Sequence, residues 1–167
     1  MSPWQIPVTF REPVQTVSAA GSTFARRTKR LTRWQASTTV LSHVLRPPPG
    51  WAWRVQAIWA SMGTGAAVGN RFADVSIYER FENAPAPLRI YHAHTVPQPK
   101  NCIGYYSWAV GNTDWNIIFQ GHFISAGMAL PDLLLSPSSE ILIHDEFGLP
   151  GDSIAYNLYG EQYEEIP

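Results

Sequence analysis

Residues 71–80 read RFADVSIYER, and residues 53–62 read WRVQAIWASM. In the first stretch Ala73, Val75 and Ile77 fall on one side of an extended chain and Phe72, Asp74, Ser76 and Tyr78 on the other, the period of two that marks a strand with one buried face. In the second, Val55, Ala57 and Trp59 alternate in the same way with Arg54, Gln56 and Ile58. Upstream, Arg46 is followed by Pro47, Pro48, Pro49 and Gly50; prolines donate no ladder hydrogen bond, so a stiff connection is expected there. The same alternation recurs over 38–45, 88–94 (Leu88, Ile90, His92, His94), 102–108, 115–125, 139–145 and 153–159 (Ile154, Tyr156, Leu158). Eight strands are therefore expected from about residue 37 onward. The apolar run Leu130 to Leu135 fits either a helical turn or a loop pressed on the core. No 10–15 residue segment between the strands carries a clean 3.6 period, which excludes an α/β fold. Eight antiparallel strands with frequent turns predict an all-β fold, an eight-stranded jelly-roll-like β-sandwich; a barrel or an immunoglobulin-like sandwich meets the same spacing.

Composition agrees. The 167 residues are 45% hydrophobic and 15% charged, enough apolar material for one core and too little charge for a disordered chain. Seven each of Trp, Tyr and Phe, with 14 Pro and 12 Gly, favour short strands and turns over long helices. The single cysteine, Cys102, excludes an intrachain disulfide and a cysteine-based zinc cluster, and reads as a small buried hydrophobe in a chain made for a reducing compartment. The segment MSPWQIPVTF (residues 1–10) does not read as a signal peptide, and no apolar run approaches the ~20 residues of a membrane span.

The net charge of −1 conceals an asymmetry. Residues 1–54 hold eight of the twelve basic side chains and one acid, Glu12, whereas residues 55–167 hold four bases and twelve acids. Residues 1–36 are punctuated by Pro3, Pro7 and Pro13 and carry the basic run Arg26, Arg27, Lys29, Arg30 and Arg33, followed by Trp34. Too few apolar positions are in register there for an independent core, so residues 1–36 are expected to be an extended N-terminal arm and residues 37–167 the sandwich domain. Ile6, Val8 and Phe10 alternate, which suits an arm that adds a strand to a sheet edge.

Searched for chemistry, the chain offers little. His92 and His94 point to one face of a strand, and with His122 and His144 on other strands would resemble a cupin metal site, but the Glu that a cupin places soon after the paired histidines is missing; structural or surface histidines are expected, and no metal or cofactor is assigned. Gly63 to Gly65 and Val68 to Asn70 lack the Lys and strand-to-helix context of a phosphate loop and read as a turn of small residues. Asp145, Glu146 and Asp152 flank a Gly-Leu-Pro-Gly turn and are expected to be solvated rather than to bind calcium or act as a glycosidase pair. No residue receives a catalytic role, so the chain is not expected to be an enzyme. Trp51, Trp53, Trp59, Trp108 and Trp115 are expected to serve core packing and subunit burial in preference to a sugar-stacking platform. The basic run is short for a nucleic-acid site and the remaining chain is acidic, so docking on an acidic neighbour is the better reading.

Three stretches together carry a family resemblance: residues 44–58 (VLRPPPGWAWRVQAI), residues 68–77 (VGNRFADVSI), and Leu130 to Leu135 followed by Ile141 to Asp145 and Asp152 to Ile154. This order, over roughly residues 38–160, resembles small virion β-sandwich proteins of tailed bacteriophages. The resemblance implies a capsid cement or decoration protein that binds the outer surface of the major capsid protein shell as a symmetric homo-oligomer, a trimer at three-fold positions. Localisation would then be the virion surface after synthesis in the host cytoplasm. Another virion component, in a head fibre, neck or tail, and a carbohydrate- or receptor-binding module are the alternatives. Trp4, Phe10, Arg26, Arg27, Lys29, Arg30, Arg33 and Trp34 of the arm are the expected partner-binding residues, with no membrane partner.

Overall fold

The computed structural model describes residues 16–19, 22–37, 42–112 and 116–165, and for residues 16–37, Asn116 and Glu165 the backbone alone. Among the described residues there are twelve strands and no helix. In chain order they are β1 (Thr16–Ala19), β2 (Ser22–Ser37), β3 (Ser42–Leu45), β4 (Trp51–Gly63), β5 (Phe72–Glu79), β6 (Leu88–His94), β7 (Ile103–Val110), β8 (Asn116–Gln120), β9 (Phe123–Leu130), β10 (Leu134–Leu135), β11 (Ser139–Glu146) and β12 (Ser153–Glu165).

They form two sheets. The larger runs β1-β2-β12-β4-β7-β9-β8, with β10 also pairing β4, and the smaller runs β3-β11-β5-β6. All pairings are antiparallel except β7 with β9. The expected strand at 115–125 is two strands, because Gly121, with φ 60°, and His122 turn the chain back on itself. The ambiguous run after Leu130 resolves into the short β10, with Leu134 and Leu135 opposite Arg54 and Trp53. Residues 22–37, which include the basic part of the expected arm, run as β2 along β12 of the same chain. Trp4 and Phe10 lie outside the described residues.

One core lies between the sheets. β5 supplies Ala73, Val75 and Ile77, as its alternation predicts, and β11 supplies Ile141 and Ile143. The larger sheet answers with Trp53, Val55, Ile58, Ala60 and Met62 from β4, Trp108 and Tyr106 from β7, Ile124, Ala126 and Met128 from β9, and Ile154, Tyr156 and Leu158 from β12.

β4 departs from the face expected of it. Trp53 and Val55 point inward, but so does Ile58, which is 0% exposed, while Trp59 is 45% exposed. The cause is a β-bulge: Tyr159 of β12 sits opposite Ala57 and Gly160 opposite Val55, so Gln56 has no counterpart and the alternation changes phase. Gly160 makes this possible, because a Cβ there would lie 2.3 Å from the Arg54 carbonyl oxygen and 3.0 Å from Val55 Cα. β6 carries a second irregularity, at Ile90 between the pairs Ile77–Tyr91 and Tyr78–Arg89; its regular pairing with Val75 and Ile77 sets Ala93 and Tyr91 against the core, and Leu88 and Ile90 are exposed.

Gly160→Ala should therefore cost about 1–3 kcal/mol, since the new methyl meets backbone that cannot rotate away. Equilibrium urea unfolding measures it; a loss within experimental error would mean that β4 and β12 do not approach this closely.

Candidate functional site

The basic residues expected to bind a partner lie on β2. In its register with β12, Arg26 is opposite Tyr163, Lys29 opposite Gln162, Arg30 opposite Glu161, Arg33 opposite Leu158 and Trp34 opposite Asn157, while Arg27 falls in a bulge. The last strand carries Glu161, Glu164 and Glu165. The basic front of the chain is thus hydrogen-bonded, strand to strand, to its acidic end.

The histidines come together on the outer face of the smaller sheet, around a residue that the sequence reading passed over. Asp74 on β5 is opposite His144 of β11 and His94 of β6, and Ser76 is opposite His92, so one cross-strand row carries His144, Asp74 and His94. Asp74 is fully buried beneath them. Ser76 Oγ donates to Asp74 Oδ1 at 2.9 Å, His92 Nδ1 lies 3.0 Å from Ser76 Oγ and 2.9 Å from Asp74 Oδ2, and His144 Nε2 lies 3.3 Å from Asp74 Oδ1. His94 Nδ1 is 3.4 Å from His92 Nε2, and its ring stands edge-on to Phe72, centroids 5.6 Å apart. Burial raises the Asp74 carboxyl above its ordinary range, against the lowering effects of the Ser76 hydrogen bond and of His144 and His92. Beside His92 and His94 is a depression of about 290 Å³, lined also by Tyr91, Ala93, Met128 and Ala129, at the seam between β6 and β9. His122 lies apart, on the turn between β8 and β9. The signal for Asp74 was present in RFADVSIYER, where an Asp and a Ser share the face opposite Ala73, Val75 and Ile77, but pairing β5 with β6 required the fold.

Of the three acids near the Gly-Leu-Pro-Gly turn, Asp145 and Asp152 are buried, contrary to expectation, and Glu146 is half-buried. Asp152 is buried in a bidentate pair with Arg71, Nε to Oδ2 at 2.9 Å and Nη2 to Oδ1 at 3.2 Å, and accepts from the backbone N–H of Gly65 and Leu149, each at 2.7 Å. Burial alone would raise its carboxyl, but Arg71 and the two backbone donors more than offset this and hold it low. Arg71 also donates to the Gly69 carbonyl at 2.9 Å. This ion pair ties the Gly-rich 64–71 loop, read from sequence as a simple turn, to the turn that leads into β12. Asp145 shares the knot with neither carboxylate oxygen receiving a donor. Burial first, and the Asp152 carboxylate next to it second, raise its carboxyl to about 7, with Arg71 opposing.

The outer face of the larger sheet is apolar at one end. Tyr105 of β7, Ser125 of β9 and Ile118 of β8 stand in one cross-strand row, with Ile103 and Phe123 paired in the next. Ile103 is 42%, Tyr105 52%, Ile118 60% and Phe123 51% exposed. β8 ends the sheet order, and Phe119, opposite the buried Ile124, is 64% exposed. Of the tryptophans, Trp53 and Trp108 are core, Trp59 is outside with its ring 6.3 Å from that of Tyr159, Trp51 is half-buried, and Trp115 lies outside the described residues.

Comparison of the chain with protein-family models, with curated proteins and with solved structures gave no match.

The Asp145 carboxyl predicts a pH dependence. Folding raises it from the usual 3.8 to about 7, so the unfolded chain ionises first. Its neutral form gives full stability below about pH 4, and stability falls as the pH climbs toward 7. Asp145→Asn should remove that fall, leaving the variant about 4 kcal/mol more stable than the parent at pH 8 and equal to it at pH 4. Denaturant midpoints across that range measure it, and parallel curves for the two proteins would mean that Asp145 is ionised throughout.

Proposed function

We propose that this chain is a virion structural protein of the capsid cement or decoration type, which binds the outer surface of a shell of major capsid protein and stabilises it as a symmetric oligomer, a trimer in the simplest case. The observation that carries this reading is the apolar strip of Ile103, Tyr105, Ile118 and Phe123 on a sheet face that ends in the exposed edge strand β8. A contiguous apolar surface next to a strand edge is what a contact between copies, or with a shell, buries. Each such contact is weak, and symmetry multiplies it. The same surface would serve another virion component in a head fibre, neck or tail.

The fold is read here as an eight-stranded jelly roll with additions. A jelly roll is a long hairpin rolled into two sheets, so its first strand pairs with its last, the second with the seventh, the third with the sixth and the fourth with the fifth. The pairings β2 with β12, β3 with β11, β4 with β7 and β5 with β6 support that reading, leaving β1, β10 and the β8–β9 hairpin as additions. Residues 22–36 of the N-terminal segment form most of the first of these strands, β2, and its basic residues are proposed to bind the capsid partner.

An antibody raised against the chain should label the outside of intact particles of the virus that encodes it; particles free of the protein would refute the reading. Ile118→Asp combined with Phe123→Ser should reduce particle occupancy more than about tenfold, while the folded monomer keeps its melting temperature because both side chains are exposed. A second reading, a glycan-binding module, is favoured by the exposed Trp59 and its half-buried neighbour Tyr159. Glycan-array binding lost in Trp59→Ala would support it over the first.

A further inference from the structure

We propose that His92 and His94, backed by Asp74, bind one divalent transition-metal ion of the zinc class on the outer face of the smaller sheet. The inference does not rest on the decoration reading. It begins with the hydrogen atoms. Ser76 has one hydroxyl proton and gives it to Asp74 Oδ1. Its oxygen can then only accept from His92 Nδ1, 3.0 Å away, and the second neighbour of that nitrogen, Asp74 Oδ2 at 2.9 Å, is an acceptor as well. His92 Nδ1 therefore carries the proton, and in the neutral ring Nε2 is a bare lone pair.

That nitrogen lies 3.4 Å from His94 Nδ1. A zinc ion with Zn–N bonds of about 2.1 Å and tetrahedral angles separates two ligand nitrogens by roughly 3.4 Å, so the two imidazoles already stand at chelating distance. The Ser76 hydroxyl and the Asp74 carboxylate, 3.0 and 2.9 Å from His92 Nδ1, hold this tautomer, and a carboxylate so placed strengthens an imidazole as a ligand. Asp74, His92 and His94 offer ligand atoms that all lie within 4.8 Å of one another.

Electrostatics point the same way. Asp74 Oδ2 is buried and receives no well-directed hydrogen bond. Among the described residues the carboxylate has imidazoles and a hydroxyl within reach but no lysine or arginine, with Glu146 adding a further negative charge. A divalent cation held by the adjacent imidazoles would compensate a buried charge that is otherwise costly. His92 and His94 also line the depression of about 290 Å³ at the β6–β9 seam, so the remaining coordination positions have room for water or for the carboxylate of a small ligand. Imidazole ligands select zinc, copper, nickel or cobalt over magnesium or calcium.

The test is titration of the untagged full-length chain with Co²⁺, followed by its visible absorption and by competition with Zn²⁺. One saturable site per chain is expected, with Zn²⁺ displacing Co²⁺. His94→Ala and His92→Ala should each lose that site. Asp74→Asn, which keeps the shape but not the charge, should weaken it about 10- to 100-fold, with circular dichroism confirming that the variant is folded. His122→Ala, on a separate turn, should bind as the parent does. No saturable Co²⁺ binding up to millimolar concentration would overturn the proposal, as would binding that survives both His92→Ala and His94→Ala or that depends on His122.

Discussion

The phase of the larger sheet depends on one unpaired residue. β12 is hydrogen-bonded on one side to β2 and on the other to β4. In a continuous ladder with β4, either Trp53 and Val55 or Ile58, Ala60 and Met62 would face water, because side chains alternate strictly. The bulge at Gln56 lets β4 bury both sets. Fully burying one aliphatic side chain contributes roughly 1.5–3 kcal/mol, so the apolar material recovered outweighs the missing pairing at one residue. The price is a glycine at 160, where the two backbones come too close for any side chain. The same phase change puts Trp59 outside, and with it the aromatic pair that the glycan reading needs.

At the other end of β12 the chain uses polar groups in place of apolar ones. Arg71 and Asp152 have no exposed side-chain surface, and a buried ion pair is tolerated only when its remaining donors and acceptors are satisfied. Here they are, through Gly65, Gly69 and Leu149, so two backbone segments close around one salt bridge. A second buried knot lies close by in the chain: Gln98 donates to the Met62 and Cys102 carbonyls at 2.8 and 2.9 Å and accepts from Tyr106 at 2.6 Å. Both knots anchor long connections across the sheets, work that short hairpins do not require. Asp145 is left without a donor to offset its burial and the Asp152 carboxylate beside it, and these two hold its proton so far up the pH scale.

The all-β class, the single core and the location of most strands are legible in the sequence because a half-buried strand writes its two faces into alternate positions, as Ala73, Val75 and Ile77 do. Bulges are not legible in this way. Nothing in WRVQAIWASM marks Gln56 as unpaired, since the cause is Gly160, more than one hundred residues later. The solvated-turn reading of Asp152 failed for a related reason: Arg71 supplies the countercharge from a loop that looks in isolation like small residues and nothing else. The histidine cluster was half legible. The spacing of His92 and His94 places them on one face, but the carboxylate that completes the group comes from a neighbouring strand and not from downstream sequence, where a cupin would have it.

The charge asymmetry changes meaning once the register is known. Read along the chain, a basic N-terminal segment and an acidic remainder suggest an arm seeking an acidic partner. Yet β2 and β12 are neighbours within one sheet, and Arg30 stands opposite Glu161. Opposite charges at facing positions of an antiparallel pair favour that pairing by up to about 1 kcal/mol, and like charges oppose it. Part of the imbalance therefore has an intramolecular counterpart, the association of the first long strand with the last, and it cannot by itself call for an external partner. The weight of the assembly reading moves to the other end of the same sheet, where Ile103, Tyr105, Ile118 and Phe123 face water with no such internal answer among the described residues.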